Sequence, residues 1–448
     1  MFHTIRLSKS NPTPLYIQLA CELSKLIQMN ILTSGMKLPT IRSLSSQLCI
    51  NRDTVVSAYK LLENQGLVES YIGKGTYIAS KLQPTSPANL LKESSYNIYC
   101  SHLGTPKAFF TKDLCLELTR KVAWEDGWEC FNDPLYRERQ LIKYSVSHFF
   151  QQLGYKNHFA QIKLIQSKED FLLQLFKYSP KTGICCEAIR DLSLSCYLRS
   201  IGAKIYEIPL TSEGMDLKAL EKCLHTGNVS YIFISSVLHN PTGICYCPDT
   251  LKQLILLAKE YNCYIVDDIT YASFVFEPIS LCKDISEERI IYIHQFSKIY
   301  LPYIHFTFAI LPAPLYKHLV DQTECSFNER LLRHYLTCDT FSELQHQLFE
   351  RYQNDYQYFY NLLQEKKLPL RISTHIGGLW FWLQIPIEYY DALCDYLTKH
   401  HIIVSPGDLF SNLPLSTKHI RLSISQLSMS EIQQVIAVFD SFFKTYSI

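Results

Sequence analysis

Apolar residues recur at helical spacing from the first residues onward. Leu19, Leu23, Leu26 and Ile27 line one face of a segment that Pro14 opens. Thr40 caps a short second helix through Leu48. Asn51 caps a third, "NRDTVVSAYKLLENQG", in which Val55, Tyr59 and Leu62 face inward and Gly66 ends the run. The pattern then tightens to two short strands in "LVESYIGKGTYIAS", turning at Gly73-Lys74-Gly75. Helix, helix, short turn, helix, small hairpin is a winged helix-turn-helix order, and it occupies residues 1–80.

Residues 81–95, "KLQPTSPANLLKESS", hold two prolines and no periodicity, the marks of a tether. Beyond them strand-like runs, "KIYEIPL", "VSYIFISSVL", "CYIVDDITYASFVF" and "RIIYIHQF", alternate with helical stretches such as Pro248–Tyr261. Such alternation predicts an α/β domain with a mainly parallel sheet over 96–340. The stretch 341–448, with "GGLWFWLQIP" and "IRLSIS", predicts a smaller α/β subdomain.

Composition narrows the class. The 448 residues carry a net charge of +1, so no global field draws the chain to a polyanion. The balance is uneven: residues 1–80 hold eight Lys/Arg against four Asp/Glu, leaving the remainder at −3. The sixteen cysteines lack the paired C-x2-C spacing of a zinc site, so buried thiols in a reducing cytoplasm are expected, with no metal. The first residues carry no signal peptide pattern. The uncharged run Ile299–Tyr316 is long enough for a membrane helix, but Pro302, Pro312 and Pro314 argue against one.

The basic excess suits DNA. A helix beginning Asn51-Arg52-Asp53-Thr54 presents its N-terminal side chains outward, where a major groove would receive them. Lys74 at the hairpin tip is placed to meet a backbone phosphate. "KLPTIRSLSSQLCINRDTVVSAYKLLENQGLVESYIGKGTYIA" resembles the DNA-binding domain of GntR-family bacterial repressors. The resemblance implies double-stranded DNA as partner and Arg42, Arg52, Thr54 and Gly75 as contacts. It also implies a dimer.

In the larger part, "HNPTGICYCP" (239–248), "IVDDITYASF" (265–274) and Ser297-Lys298 follow one another in an order that resembles fold-type I pyridoxal-phosphate enzymes of the aminotransferase class. Joined to the N-terminal part, the chain is similar to the MocR (GabR-like) subfamily of GntR regulators. The resemblance implies a winged-helix domain followed by an aminotransferase-like α/β domain. It implies that Lys298 would hold pyridoxal 5'-phosphate covalently, with Asp268 on the ring nitrogen and Asp267 as the fallback. Asn240 and Tyr271 would meet the ring's phenolic oxygen, and Arg421 would clamp the carboxylate of an amino-acid-like effector.

The pattern departs from the family where the phosphate would sit. The frame Ser-Lys-x-x-x-Pro-Gly-x-Arg-x-Gly becomes Ser297-Lys298-Ile-Tyr-Leu-Pro302-Tyr303-Ile-His305-Phe-Thr307. His305 replaces the phosphate arginine, and near its reference pKa of about 6.5 it is mostly neutral at pH 7. The Gly-Ser-Gln-like turn reads "LIQSKEDFLLQLF": Ser167 can still donate and Lys168 adds charge, while Glu169 and Asp170 oppose an anion. The ring-stacking stretch has become "CEAIRDLSL". The expectation is therefore a cytoplasmic regulator that binds the cofactor weakly and has little or no transaminase activity. The alternatives are an active aminotransferase that also binds DNA, and a regulator whose large domain has lost the cofactor.

Overall fold

The structure is a computed structural model that describes residues 7, 14–28, 32, 35–48, 50–64, 67–71, 75–78, 97–106, 109, 112–132, 136–155, 157–165, 167–178, 183–226, 228–276, 289–296, 299–300, 306–321, 326–337, 339–373, 376–412, 415 and 417–446. The chain divides into two compact units, Met1–Tyr96 and Asn97–Ile448.

The first unit has helices α1 (Leu15–Gln28), α2 (Ile41–Leu48) and α3 (Arg52–Asn64), then the antiparallel hairpin β1 (Val68–Tyr71) and β2 (Gly75–Ile78). Both predicted caps form. The Ser43 N–H donates to Thr40 Oγ1 at 3.2 Å, and the Asp53 N–H donates to Asn51 Oδ1 at 3.2 Å. Leu19, Leu23, Leu44, Val55, Leu62 and Val68 are buried in one core. Tyr59 joins them, and its hydroxyl donates to the Pro39 carbonyl at 2.8 Å, so burial leaves no polar atom stranded. The sequence pattern missed a third element of the wing. The Gly35 and Leu38 N–H groups donate to the Ile78 and Thr76 carbonyls, adding an extended segment alongside β2. Gly75 lies at φ +109, and a Cβ there would approach the Lys37 side chain to 2.8 Å. That position needs glycine.

In the second unit, β3 (Ile98–Tyr99) precedes β4 (Ile162–Ile165), β5 (Gly183–Glu187), β6 (Lys204–Ile208), the small hairpin β7 (Leu210–Thr211) and β8 (Gly214–Met215), β9 (Val229–Ile234), β10 (Tyr264–Asp268), β11 (Ile290–Phe296) and β12 (Phe306–Ile310). A seven-stranded sheet runs β4-β12-β11-β10-β9-β5-β6. Pairing is parallel from β11 to β6, and β12 is antiparallel to both neighbours. Continuous apolar runs suit strands covered on both faces. Along β9, Tyr231 and Phe233 pack with Leu172 and Leu198, while Ile232 and Ile234 pack with Leu220 and Leu254. The same alternation sends the adjacent Asp267 and Asp268 to opposite faces of β10.

A C-terminal sheet runs β13 (Arg371–Ile372), β14 (Trp380–Ile385), β17 (Lys418–Ser423), β16 (Ser405–Pro406), while β15 (Ile402–Ile403) pairs with β3. The helix Asp339–Lys366 runs through position 341 without a break. Its Leu348 and Tyr352 belong to the core under the large sheet; its Tyr356, Phe359 and Leu363 belong to the core under the C-terminal sheet. No described helix is long and apolar enough to cross a membrane.

Candidate functional site

Parallel strands end at one edge of the large sheet, and a cavity of about 260 Å³ opens there. It is lined by Lys168 and Glu169 at the start of the helix Lys168–Tyr178, by Glu187 and Asp268 at the ends of β5 and β10, and by Asn240 and Tyr271 in the following loops. Four of the residues singled out from the sequence, Asn240, Asp268, Tyr271 and Arg421, are brought together here. Arg421 Nη1 donates to Asn240 Oδ1 at 2.9 Å, and Nη2 donates to the Ser101 carbonyl at 2.7 Å. Arg421 is 9% exposed, and its guanidinium carbon sits 4.9 Å from the Phe410 ring centroid. Its Nε is buried without a hydrogen-bond partner. Its hydrogen-bond partners are neutral and the charge of Asp191 on the cavity wall favours its charged form, so the guanidinium can still receive an anion.

Tyr271 packs edge-on against Trp380 at 4.8 Å, and the Trp380 indole N–H donates to the Pro241 carbonyl at 2.7 Å, next to Asn240. Burial raises the Tyr271 hydroxyl, with Lys168 and Arg421 pulling the other way.

The two aspartates separate in role. Asp267 accepts from the Ser236 N–H at 2.9 Å and the Ser236 hydroxyl at 2.6 Å; burial pushes its carboxyl up to about 7 despite those bonds. Asp268 faces the cavity. One oxygen accepts from the Thr270 N–H at 3.1 Å and from its hydroxyl, and the other is paired with the Lys168 ammonium. Burial alone would raise Asp268, but Lys168 and Thr270 outweigh it and hold the carboxyl below its usual range. Lys168 is in turn raised: burial pulls it down, while Asp268, Tyr271 and Glu169 push it up further. The sequence suggested Lys168 as a charge for phosphate and gave no hint of its partner, 100 positions away.

Ser167 is committed locally. Its hydroxyl donates to Asp170 at 2.7 Å and accepts from the Asp170 N–H at 3.0 Å, a helix cap that leaves it no free proton. At the cavity wall lies a polar cluster that the sequence did not signal. Glu187, 1% exposed, accepts from the Tyr246 hydroxyl at 2.6 Å and the Ser235 N–H at 3.1 Å, with His239 Nε2 3.3 Å away. Thr307, at a position where the family has glycine, buries its hydroxyl oxygen without a partner. Ser297, Lys298 and His305 lie outside the described residues, as does Lys74.

In the N-terminal unit, Arg42 on α2 and Arg52 on α3 are exposed, Thr54 is half-buried, and Gly75 is exposed at the start of β2.

Residues 15–78 match the gntR family of bacterial regulatory proteins, and residues 167–302 match aminotransferase class I and II. The chain is a GntR helix-turn-helix domain joined to an aminotransferase-like domain. HTH-type transcriptional regulator NorG of Staphylococcus aureus is 20% identical over 90% of this chain and 98% of its own. The HTH-type pyridoxine biosynthesis transcriptional regulator PdxR of Corynebacterium glutamicum is 24% identical over 69% of each. Among solved structures, an archaeal alanine:glyoxylate aminotransferase superposes with TM-score 0.70 at 17% identity, covering 80% of this chain and 93% of that one. The α-aminoadipate aminotransferase LysN of Thermus thermophilus, solved with N-(5'-phosphopyridoxyl)-L-leucine, gives 0.68 at 19% identity, covering 80% and 94%. The second unit of this GntR-aminotransferase chain thus has the fold of these enzymes.

The cavity's own residues fit an aromatic ring on one side. Asn240 and Tyr271 offer polar atoms beside Trp380, and Arg421 offers a cation whose hydrogen-bond partners are neutral. Asp268 fits a ring nitrogen only after exchanging its lysine.

Proposed function

We propose that this protein is a cytoplasmic DNA-binding transcriptional regulator. Its N-terminal unit reads double-stranded DNA, and its aminotransferase-like unit forms a homodimer and senses a small amino-acid-like molecule. The observation that carries the proposal is the start of α3, capped by Asn51 and leaving Arg52 exposed over a core of Val55, Tyr59 and Leu62. A groove-reading helix needs that combination of a fixed axis and free N-terminal side chains. Support for a small-molecule role comes from Arg421, a buried guanidinium whose hydrogen-bond partners are neutral. Support for a second copy comes from Trp124, Trp128 and Phe131, which are 83%, 74% and 69% exposed within one stretch of chain.

Pyridoxal 5'-phosphate is the proposed cofactor, weakly held. When bound, it supplies an electron-withdrawing ring. Asn240 and Tyr271 would orient that ring, Lys298 would hold it covalently, and Ser297 and His305 would face its phosphate. Transaminase activity is expected to be negligible. The Lys168–Asp268 pair favours a second reading, in which the large unit has lost the cofactor and acts as scaffold.

The test is binding of the full chain to its own upstream DNA across a salt series. Affinity that falls with salt supports the proposal, and salt-independent or absent binding refutes it. Titration with pyridoxal phosphate, followed by borohydride reduction, decides the cofactor: a reduced adduct on Lys298 supports weak binding, and its absence selects the scaffold.

A further inference from the structure

Both oxygens of Asp268 already have partners within the chain. Thr270 occupies one of its oxygens with two bonds, and the Lys168 ammonium holds the other. Ammonium and carboxylate line the same cavity as Asn240 and Tyr271. The neighbouring guanidinium groups are committed elsewhere: Arg190 to Ser195 and Glu207, and Arg421 to Asn240 and Ser101. Among the described residues, Lys168 is the cation that Asp268 meets.

We infer that Lys168 is a specificity-determining residue: it satisfies, from inside the chain, the carboxylate that would otherwise select a ligand carrying a protonated ring nitrogen. The inference rests on the cofactor reading above. A cationic ring nitrogen approaching Asp268 has two routes. It displaces an ammonium already hydrogen-bonded there, or it shares the carboxylate at the expense of like-charge repulsion. Either route removes the advantage of a nitrogen at that ring position. Lys168 therefore lowers affinity and keeps the ring nitrogen unprotonated, which weakens the ring as an electron sink. The polar contacts for a ring persist while the charge that would activate it is cancelled. That separation explains how a site can keep Asn240, Tyr271 and Asp268 and still serve sensing in place of turnover.

The experiment compares two probes by equilibrium dialysis: pyridoxal phosphate, and its analogue with CH in place of the ring nitrogen. The proteins are the full-length wild type, Lys168→Gln, Lys168→Met, and Lys168→Arg as the charge-retaining control. Wild type and the Arg variant should bind the two probes with similar affinity. The Gln and Met variants should gain about tenfold or more for the nitrogen-containing probe alone, the worth of one charge-assisted bond.

Wild-type protein that already prefers the nitrogen probe strongly would overturn the inference without recourse to any variant. Loss of affinity for both probes in the Gln and Met variants would also overturn it, because Lys168 would then be gripping the phosphate. If wild type binds and the variants gain no selectivity, the inference fails while cofactor binding stands. If only the Gln and Met variants bind the nitrogen probe, the inference holds and cofactor binding by the wild type fails. No binding by any of the four sinks both.

Discussion

The start of α3 and the sheet-edge cavity both depend on arginine, yet use it in opposite ways. Arg52 is exposed, on a helix fixed by a core it does not touch. Arg421 is buried, and holds Asn240, the Ser101 carbonyl and Ser405 in one network. An exposed arginine can be replaced with little effect on the fold. A buried one cannot be removed without stranding its partners. The contrast separates a surface whose contacts are independent from a pocket whose contacts are mutual.

The largest expected effect sharpens the buried side. His294 is completely buried against Phe149, Phe150, Phe296 and Tyr300, and burial pushes its imidazole down to about 3. The unfolded chain takes up that proton near pH 6.5. Stability from neutral His294 is therefore complete above pH 6.5 and is lost as pH falls toward 3. Asp267 acts with the opposite sign: raised to about 7, it binds its proton more readily when folded and gains stability as pH drops from 7 toward 4. His294→Phe should flatten the acid loss in a series of unfolding midpoints between pH 7.5 and 4. An unchanged acid limb would show that other groups set it.

Leu62→Ala should cost the N-terminal unit about 2–5 kcal/mol, since Leu62 is wholly buried in a small core. The expected signature in urea unfolding is early loss of that unit alone. Arg421→Ala should cost the second unit about 1.5–3 kcal/mol through lost charge-assisted bonds. Arg52→Ala should change stability by less than about 0.5 kcal/mol and weaken specific DNA binding by about 1–3 kcal/mol if it reads a base. If Arg52→Ala destabilises as much as Arg421→Ala, the contrast drawn above is wrong.

Legibility followed locality. The caps at Thr40 and Asn51, the apolar faces of α1 and α3, and the alternation of strands with helices are written within a few residues, and the structure has them. The segment pairing beside β2 escaped notice because residues 35–38 show no strand periodicity and are ordered by backbone bonds. The motif order was enough to gather Asn240, Asp268, Tyr271 and Arg421 into one site. It placed Asp268 ahead of Asp267 only by spacing to Tyr271, and the pleat of β10 adds a physical reason by turning the two to opposite faces. The Lys168–Asp268 pair was out of reach because it depends on how helix and sheet dock, a property no short stretch contains.

The helix Asp339–Lys366 gives the second unit a particular mechanical character. Twenty-eight residues make a rod of about 42 Å, with one end set in each hydrophobic core. A rod anchored at both ends transmits torque. Any change of angle between the two sheets must bend it, rotate it, or shear one core past its side chains. Arg421 on the C-terminal sheet bonds Asn240 in a loop beyond the large one, so that contact joins the same two bodies the rod connects. Small displacements at the cavity would then be converted into strain along a single lever.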